Sequence, residues 1–127
     1  MIGLLAWSQM AVAAPALMVS GSCPESMVFD AQGLTPGGDY VLLSARSKGS
    51  AAVPAGPCTG SVLGLGAGGL ALRGIYAADA AGEARLSPGL PEAACGAAMV
   101  QVLDLTTCEV TRAKPVDDPP PVYVTLA

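Results

Sequence analysis

From Pro15 to Pro91 a proline or glycine recurs every few residues. A helix interior tolerates neither, since glycine costs roughly 1 kcal/mol and proline roughly 3 kcal/mol there relative to alanine. What such a chain can form is a series of short extended segments joined by turns, and apolar runs of the right length lie between the breaks. Ala16–Ser20 (ALMVS) is the first. Ser26–Gln32 alternates, with Met27, Phe29 and Ala31 on one face and Val28, Asp30 and Gln32 on the other. Asp39–Arg46 follows, then the short Ser61–Leu65. Leu70–Ala78 alternates again, with Leu70, Leu72, Gly74 and Tyr76 opposite Ala71, Arg73, Ile75 and Ala77. Gly82–Ser87 reads as the strand returning from it, Ala97–Leu105 as the strongest strand and Thr107–Ala113 as the last.

Two connections have recognisable turn chemistry. Leu34-Thr35-Pro36-Gly37 suits a type II turn, where proline presets φ and the following glycine takes the positive φ. In Asp79-Ala80-Ala81-Gly82 the aspartate can bond its own downstream backbone and the glycine can turn left-handed. About seven short runs separated by such turns predict an all-β, single-domain antiparallel β-sandwich. An alanine-rich helix over Leu70–Arg85 is the rival for that stretch.

Residues 1–16 carry no charged side chain, Ile2 to Trp7 is apolar, and both Ala11-Val12-Ala13 and Ala14-Pro15-Ala16 offer a signal peptidase small residues at the right spacing. The segment reads as an export signal, although it lacks the usual Lys or Arg. An uncleaved membrane anchor is the alternative, because no charge occurs from Met1 to Pro24; Pro15 would break its helix midway. An ordinary N-terminal strand or helix is a third. Cys23 follows the small residues Ser20, Gly21 and Ser22, so lipidation there also enters, and would tether the protein to a membrane.

The four cysteines, Cys23, Cys58, Cys95 and Cys108, fit export: an even count in a small domain behind a signal reads as two disulfides, with three pairings open. A zinc tetrathiolate uses closely paired cysteines, whereas the intervals here are 35, 37 and 13 residues.

The order of these features is a Pro-Gly turn, Pro54-x-x-Pro57-Cys58, the Ala78–Gly82 turn, Ala94-Cys95-Gly96, a Val-Gln-Val-Leu-Asp-Leu strand and Cys108. It resembles small secreted bacterial proteins built as immunoglobulin-like or fibronectin-like sandwiches, over roughly residues 17–116. The resemblance implies a surface, adhesion or matrix unit with no shared catalytic residues, so it assigns no role to any position.

Motifs for chemistry are sparse. Gly64-x-Gly66-x-x-Gly69 matches a dinucleotide fingerprint in letters, but lacks the buried strand before it and the helix after it. There is no His, hence no Ser-His or Cys-His pair to activate a nucleophile. Asp79, Glu83 and Asp104 are the carboxylates a small hydrolase would use. Asp104, inside the strongest strand, needs a partner if buried, with Arg73 or Arg112 as candidates. Six Lys+Arg against ten Asp+Glu, a net charge of −4, disfavour nucleic acid and anionic lipid. No cofactor or metal is implied.

Residues 117–127 form a tail. Asp117 to Pro121 is a polyproline-like spacer and Val122, Tyr123, Val124, Thr125 and Leu126 form an uncharged strand-like end. The sequence therefore predicts a non-catalytic secreted, periplasmic or cell-surface structural or interaction module, with a protein partner or self-association. Two alternatives remain: a self-assembling fibre or oligomer subunit that adds Val122–Leu126 to a neighbouring sheet, and a small secreted hydrolase.

Overall fold

A computed structural model describes residues 14–21, 27–87 and 95–116. Among them are seven strands and no helix: β1 (Ala16–Ser20), β2 (Val28–Gln32), β3 (Asp39–Ala45), β4 (Ala71–Ala77), β5 (Ala84–Leu86), β6 (Ala98–Asp104) and β7 (Lys114–Val116). All pairings are antiparallel, and they build a three-stranded sheet in the order β1-β2-β5 and a four-stranded sheet in the order β4-β3-β6-β7. β4 and β5 occupy the stretch where a helix over Leu70–Arg85 was the alternative, which removes it.

The two sheets share one apolar layer. Leu17, Phe29 and Ala31 from the first meet Tyr40, Leu42, Val100, Val102 and Val116 from the second. The alternation expected of β2 holds: Met27, Phe29 and Ala31 are buried while Gln32 is exposed. β3 and β6 behave differently, with buried side chains on both of their faces. Val41, Leu43, Ala45 and Leu103 point away from the first sheet into a second apolar cluster with Cys58, Leu63 and Leu65. The four-stranded sheet is thus covered twice, on its inner face by β1-β2-β5 and on its outer face by the excursion of residues 46–70 that joins β3 to β4.

Several local expectations need correction. The Pro-Gly turn closes one residue later than expected, with Gly38 N–H donating to Thr35 C=O at 2.9 Å and Gly37 at φ +68°, so Pro36 and Gly37 are its central pair. Ser61–Leu65 is not a strand; it makes isolated bridges, Ala52 with Val62 and Lys48 with Leu65. Thr107–Ala113 makes only the isolated bridge between Leu103 and Val110, and the last strand among the described residues is β7. Pro115 is tolerated in it because β7 lies at a sheet edge. Between β3 and β4 the register slips at Leu42 and Leu43, leaving Arg73 as the extra residue of β4. This bulge opposes Ile75 to Val41 and Leu72 to Leu43, so Leu72 and Ile75 share the outer face instead of alternating as a regular strand requires.

The Asp79 turn forms as expected. Asp79 Oδ1 accepts the N–H groups of Ala81 and Glu83, both at 2.9 Å. Gly82 closes it at φ +75°, with the Leu34 carbonyl lying where a Cβ would project. A side chain at residue 82 therefore meets both a backbone clash and an unfavourable φ.

Candidate functional site

The excursion over the outer face is held by backbone, side-chain and covalent ties. Its two limbs exchange backbone bonds: Gly49 N–H to Gly64 C=O at 3.1 Å, Ala51 N–H to Leu65 C=O at 2.9 Å and Leu63 N–H to Ala51 C=O at 2.8 Å. Gly49 and Gly66 approach so closely that a Cβ on Gly49 would sit 2.5 Å from the Gly66 Cα. The glycine richness that mimics a dinucleotide fingerprint therefore serves close backbone packing; Gly64 donates its N–H to Gln101 Oε1 at 2.9 Å. The Gln101 amide nitrogen donates in turn to the Thr111 carbonyl. Buried Gln101 thus links the excursion to the segment after β6, with both ends of its amide satisfied.

The covalent tie is the Cys58–Cys108 disulfide, with Cα atoms 5.4 Å apart and a sequence separation of 50. Cys108 adopts φ +61°, an uncommon conformation for a residue with a side chain; its N–H bonds the Asp104 carbonyl at 2.8 Å. Cys95 is also disulfide-bonded. Cys23 lies outside the described residues. Because the sulfurs of Cys58 and Cys108 are bonded to each other, the four-thiolate zinc alternative is overturned, and no group of His, Cys, Asp or Glu able to hold a metal occurs among the described residues.

Where the excursion does not reach β4, an apolar cleft of about 300 Å³ opens on the outer face. Val41 and Leu43 form its floor, with Leu103 and Leu105; Pro54 and Pro57 border it on the excursion side. Every lining residue is Val, Leu, Ile, Ala, Pro or Gly. On the β4 side Leu72 and Ile75 are each 59% exposed, unusual for large aliphatic side chains standing together at a concavity. β4 has a single described neighbour, β3. Its other edge is open among the described residues.

Of the carboxylates singled out in the sequence, Asp79 and Glu83 line one concavity with Tyr76 and Arg85, and Asp104 is not part of it. Asp104 is 2% exposed. Its Oδ2 accepts the Thr35 N–H at 2.7 Å and the Thr35 hydroxyl at 2.9 Å. Its Oδ1 accepts the N–H groups of Thr106 at 2.8 Å and Thr107 at 3.3 Å. Burial pushes its pKa up, but the backbone N–H groups of Thr106 and Thr35, the Thr35 hydroxyl and the Thr107 N–H outweigh it, and the net shift is downward. The expected ion pair with Arg73 or Arg112 is therefore overturned: four local donors satisfy the carboxylate, while Arg73 Nε donates to Ser44 Oγ at 2.7 Å. Asp79 is committed to its turn, and Glu83 meets it through backbone, the Asp79 N–H donating to the Glu83 carbonyl at 2.9 Å. The described ion pair at this end, Arg85 with Asp30 at 3.6 Å, is exposed and contributes little. Tyr40, buried beside Tyr76, has its hydroxyl pushed up to about 12, by burial first and by Tyr76 second.

The candidate assembly strand Val122–Leu126 and most of the candidate export segment lie outside the described residues. Ala16 pairs with Gln32 in β1, so a cut after Ala13 leaves β1 whole and a cut after Ala16 removes its first residue. The cleft residues were not legible as a site. The available signal was the unbroken apolar character of DYVLLSA and AMVQVLD, which marks strands buried on both faces and hence a second covering layer. No family model, curated protein or solved structure matches the chain.

Proposed function

We propose that this protein is a non-catalytic interaction module of an oxidising compartment, and that its contact surface is the apolar cleft together with the open edge of β4. The observation that carries the reading is the cleft, lined only by apolar residues and bordered by half-exposed Leu72 and Ile75. Such a surface gains free energy when another apolar surface covers it. It offers no acid, base or nucleophile to a bound substrate.

Two further observations support the assignment. The Cys58–Cys108 bridge suits a secreted, periplasmic or surface location, where disulfides persist. The strand order β1-β2-β5 against β4-β3-β6-β7 differs from the immunoglobulin constant arrangement by one strand, the fourth lying beside the third instead of the fifth. That favours an immunoglobulin-like or fibronectin-like scaffold, whose strands present edges and faces to partners.

An environment-sensitive apolar dye tests the reading. The protein should bind it with enhanced, blue-shifted emission, and Leu72→Lys or Ile75→Lys should abolish binding without altering the β-sheet circular dichroism. Dye binding indifferent to both substitutions refutes the contact surface. Turnover of an ester, peptide or glycoside that disappears in the Asp79→Asn, Glu83→Gln double variant refutes the non-catalytic role.

A further inference from the structure

We infer that the occupant of the β4 edge is the Val122–Leu126 strand of a second copy of this chain, added by β-augmentation. The inference rests on the proposed contact surface and names its partner.

The sheet edges differ in how well they are protected. β7 is three residues long and carries Lys114 and Pro115, and β5 is three residues long and carries Arg85. Charge, proline, brevity and bulges are the usual guards against strand addition, and β4 carries only the bulge and, in Arg73, one charge. β1 is a five-residue edge whose one large exposed apolar side chain is Met18. β4 is a seven-residue edge whose one charged residue, Arg73, bonds Ser44 of β3, and which presents both Leu72 and Ile75. It is the longest edge and the most apolar.

The tail strand matches what flanks that edge on both sides. In an extended strand the alternation of the sequence would put Val122, Val124 and Leu126 on one face and Tyr123 and Thr125 on the other. Set beside β4 with the aliphatic face outward, the strand continues the row of Leu72 and Ile75 and borders the cleft. Its Tyr and Thr then face the concavity of mixed character between β4 and β5, where Asp79, Glu83 and Arg85 lie beside Tyr76, Ala84 and Leu86. A one-residue slip exchanges the faces and loses both matches. The segment holds no charge to desolvate.

Reach and direction place the donor in another copy. β7 and the strand position beyond β4 are separated by four strand spacings, about 19 Å. As polyproline, the six steps from Val116 to Val122 would span about 19 Å, so a chain's own tail reaches that position only with the spacer taut. Val116 pairs with Ala98, at the end of the sheet where β4 begins. A chain's own tail must therefore cross that end and then run parallel to β4. A second copy carries neither restriction.

Sedimentation of the oxidised protein and two full-length variants tests this. Val124→Pro removes a backbone donor from the tail strand, and Ile75→Lys places a charge on the receiving edge, at a side chain exposed enough to leave the fold intact. The wild type should associate with increasing concentration, and each variant alone should associate about tenfold or more weakly, the scale of losing one interface anchor. An equimolar mixture should form a one-to-one complex, because one variant retains the edge and the other the strand. A wild type that is monomeric at every concentration, a Val124→Pro variant that assembles normally, or a mixture no larger than its components overturns the inference. A monomeric wild type whose dye binding rises on Val124→Pro assigns the cleft to the chain's own tail and also overturns it. Dye binding that survives any of these results leaves the contact surface standing, and its absence removes both.

Discussion

Replacing Cys58 and Cys108 together by alanine isolates the covalent part of what holds the excursion on the outer face. The bridge closes a loop with a sequence separation of 50 residues. In the chain-entropy description, removing a closure of that length returns about 14 cal/mol/K to the unfolded ensemble, or about 4 kcal/mol at 25 °C. Domains of this kind are stable by roughly 5–15 kcal/mol in all, so the loss is a large share. Alanine is the better replacement, since Cys58 is buried in the outer cluster and serine would bury a hydroxyl there. Urea unfolding followed by far-ultraviolet circular dichroism should show the midpoint falling and the slope rising, because the open chain exposes more surface when unfolded. Amide exchange supplies the spatial half of the test. The N–H groups of Ala51, Leu63 and Gly64, which tie the excursion together and to Gln101, should lose protection while those of the β1-β2 pair keep theirs. A loss under about 1 kcal/mol with unchanged exchange would show that packing and Gln101 hold the excursion unaided, and the reasoning would fail.

Three other outcomes follow from buried polar groups. The carboxylate of Asp104 has a folded pKa below its ordinary 3.8; its contribution is fully present above that pH and is lost as pH falls through the lower folded value. Asp104→Asn should cost at least about 2 kcal/mol at pH 7, from charge-assisted bonds to Thr35, Thr106 and Thr107, and should flatten the acid limb of a stability–pH curve below pH 4. Gln101→Leu leaves the Gly64 N–H and the Thr111 carbonyl without their partner, at roughly 1–3 kcal/mol for each group stranded, read from thermal or urea unfolding. A raised Tyr40 pKa favours the folded state below the ordinary value near 10, and that stability disappears as pH rises through about 12. An ultraviolet titration should contain a phenolate step near pH 12 that Tyr40→Phe deletes.

What the sequence makes legible here is whatever depends on nearest neighbours along the chain. The Asp79–Gly82 turn needs one side chain to reach its own backbone and one glycine to accept positive φ, so four letters suffice. The face of β2 needs only a period of two. The contact surface depends on two facts of a different kind. One is the slip between Leu42 and Leu43, which turns Leu72 onto the same face as Ile75; a bulge is set with the partner strand, and Gly74 is the only letter in β4 that hints at it. The other is that residues 46–70, which read as irregular punctuation, form a layer of their own by bonding limb to limb and by anchoring to Gln101 and Cys108. Asp104 shows the same limit: from the sequence its natural partners are arginines, yet the Pro36 turn brings the Thr35 N–H and hydroxyl within 2.9 Å and makes a cation unnecessary. The cleft is what remains where that second layer stops short of the strand the bulge has re-aimed. Its position is therefore a property of the register of β3 with β4 and of the disulfide together, and altering either should move or close it while the inner sandwich of Phe29, Leu42 and Val102 stays in place.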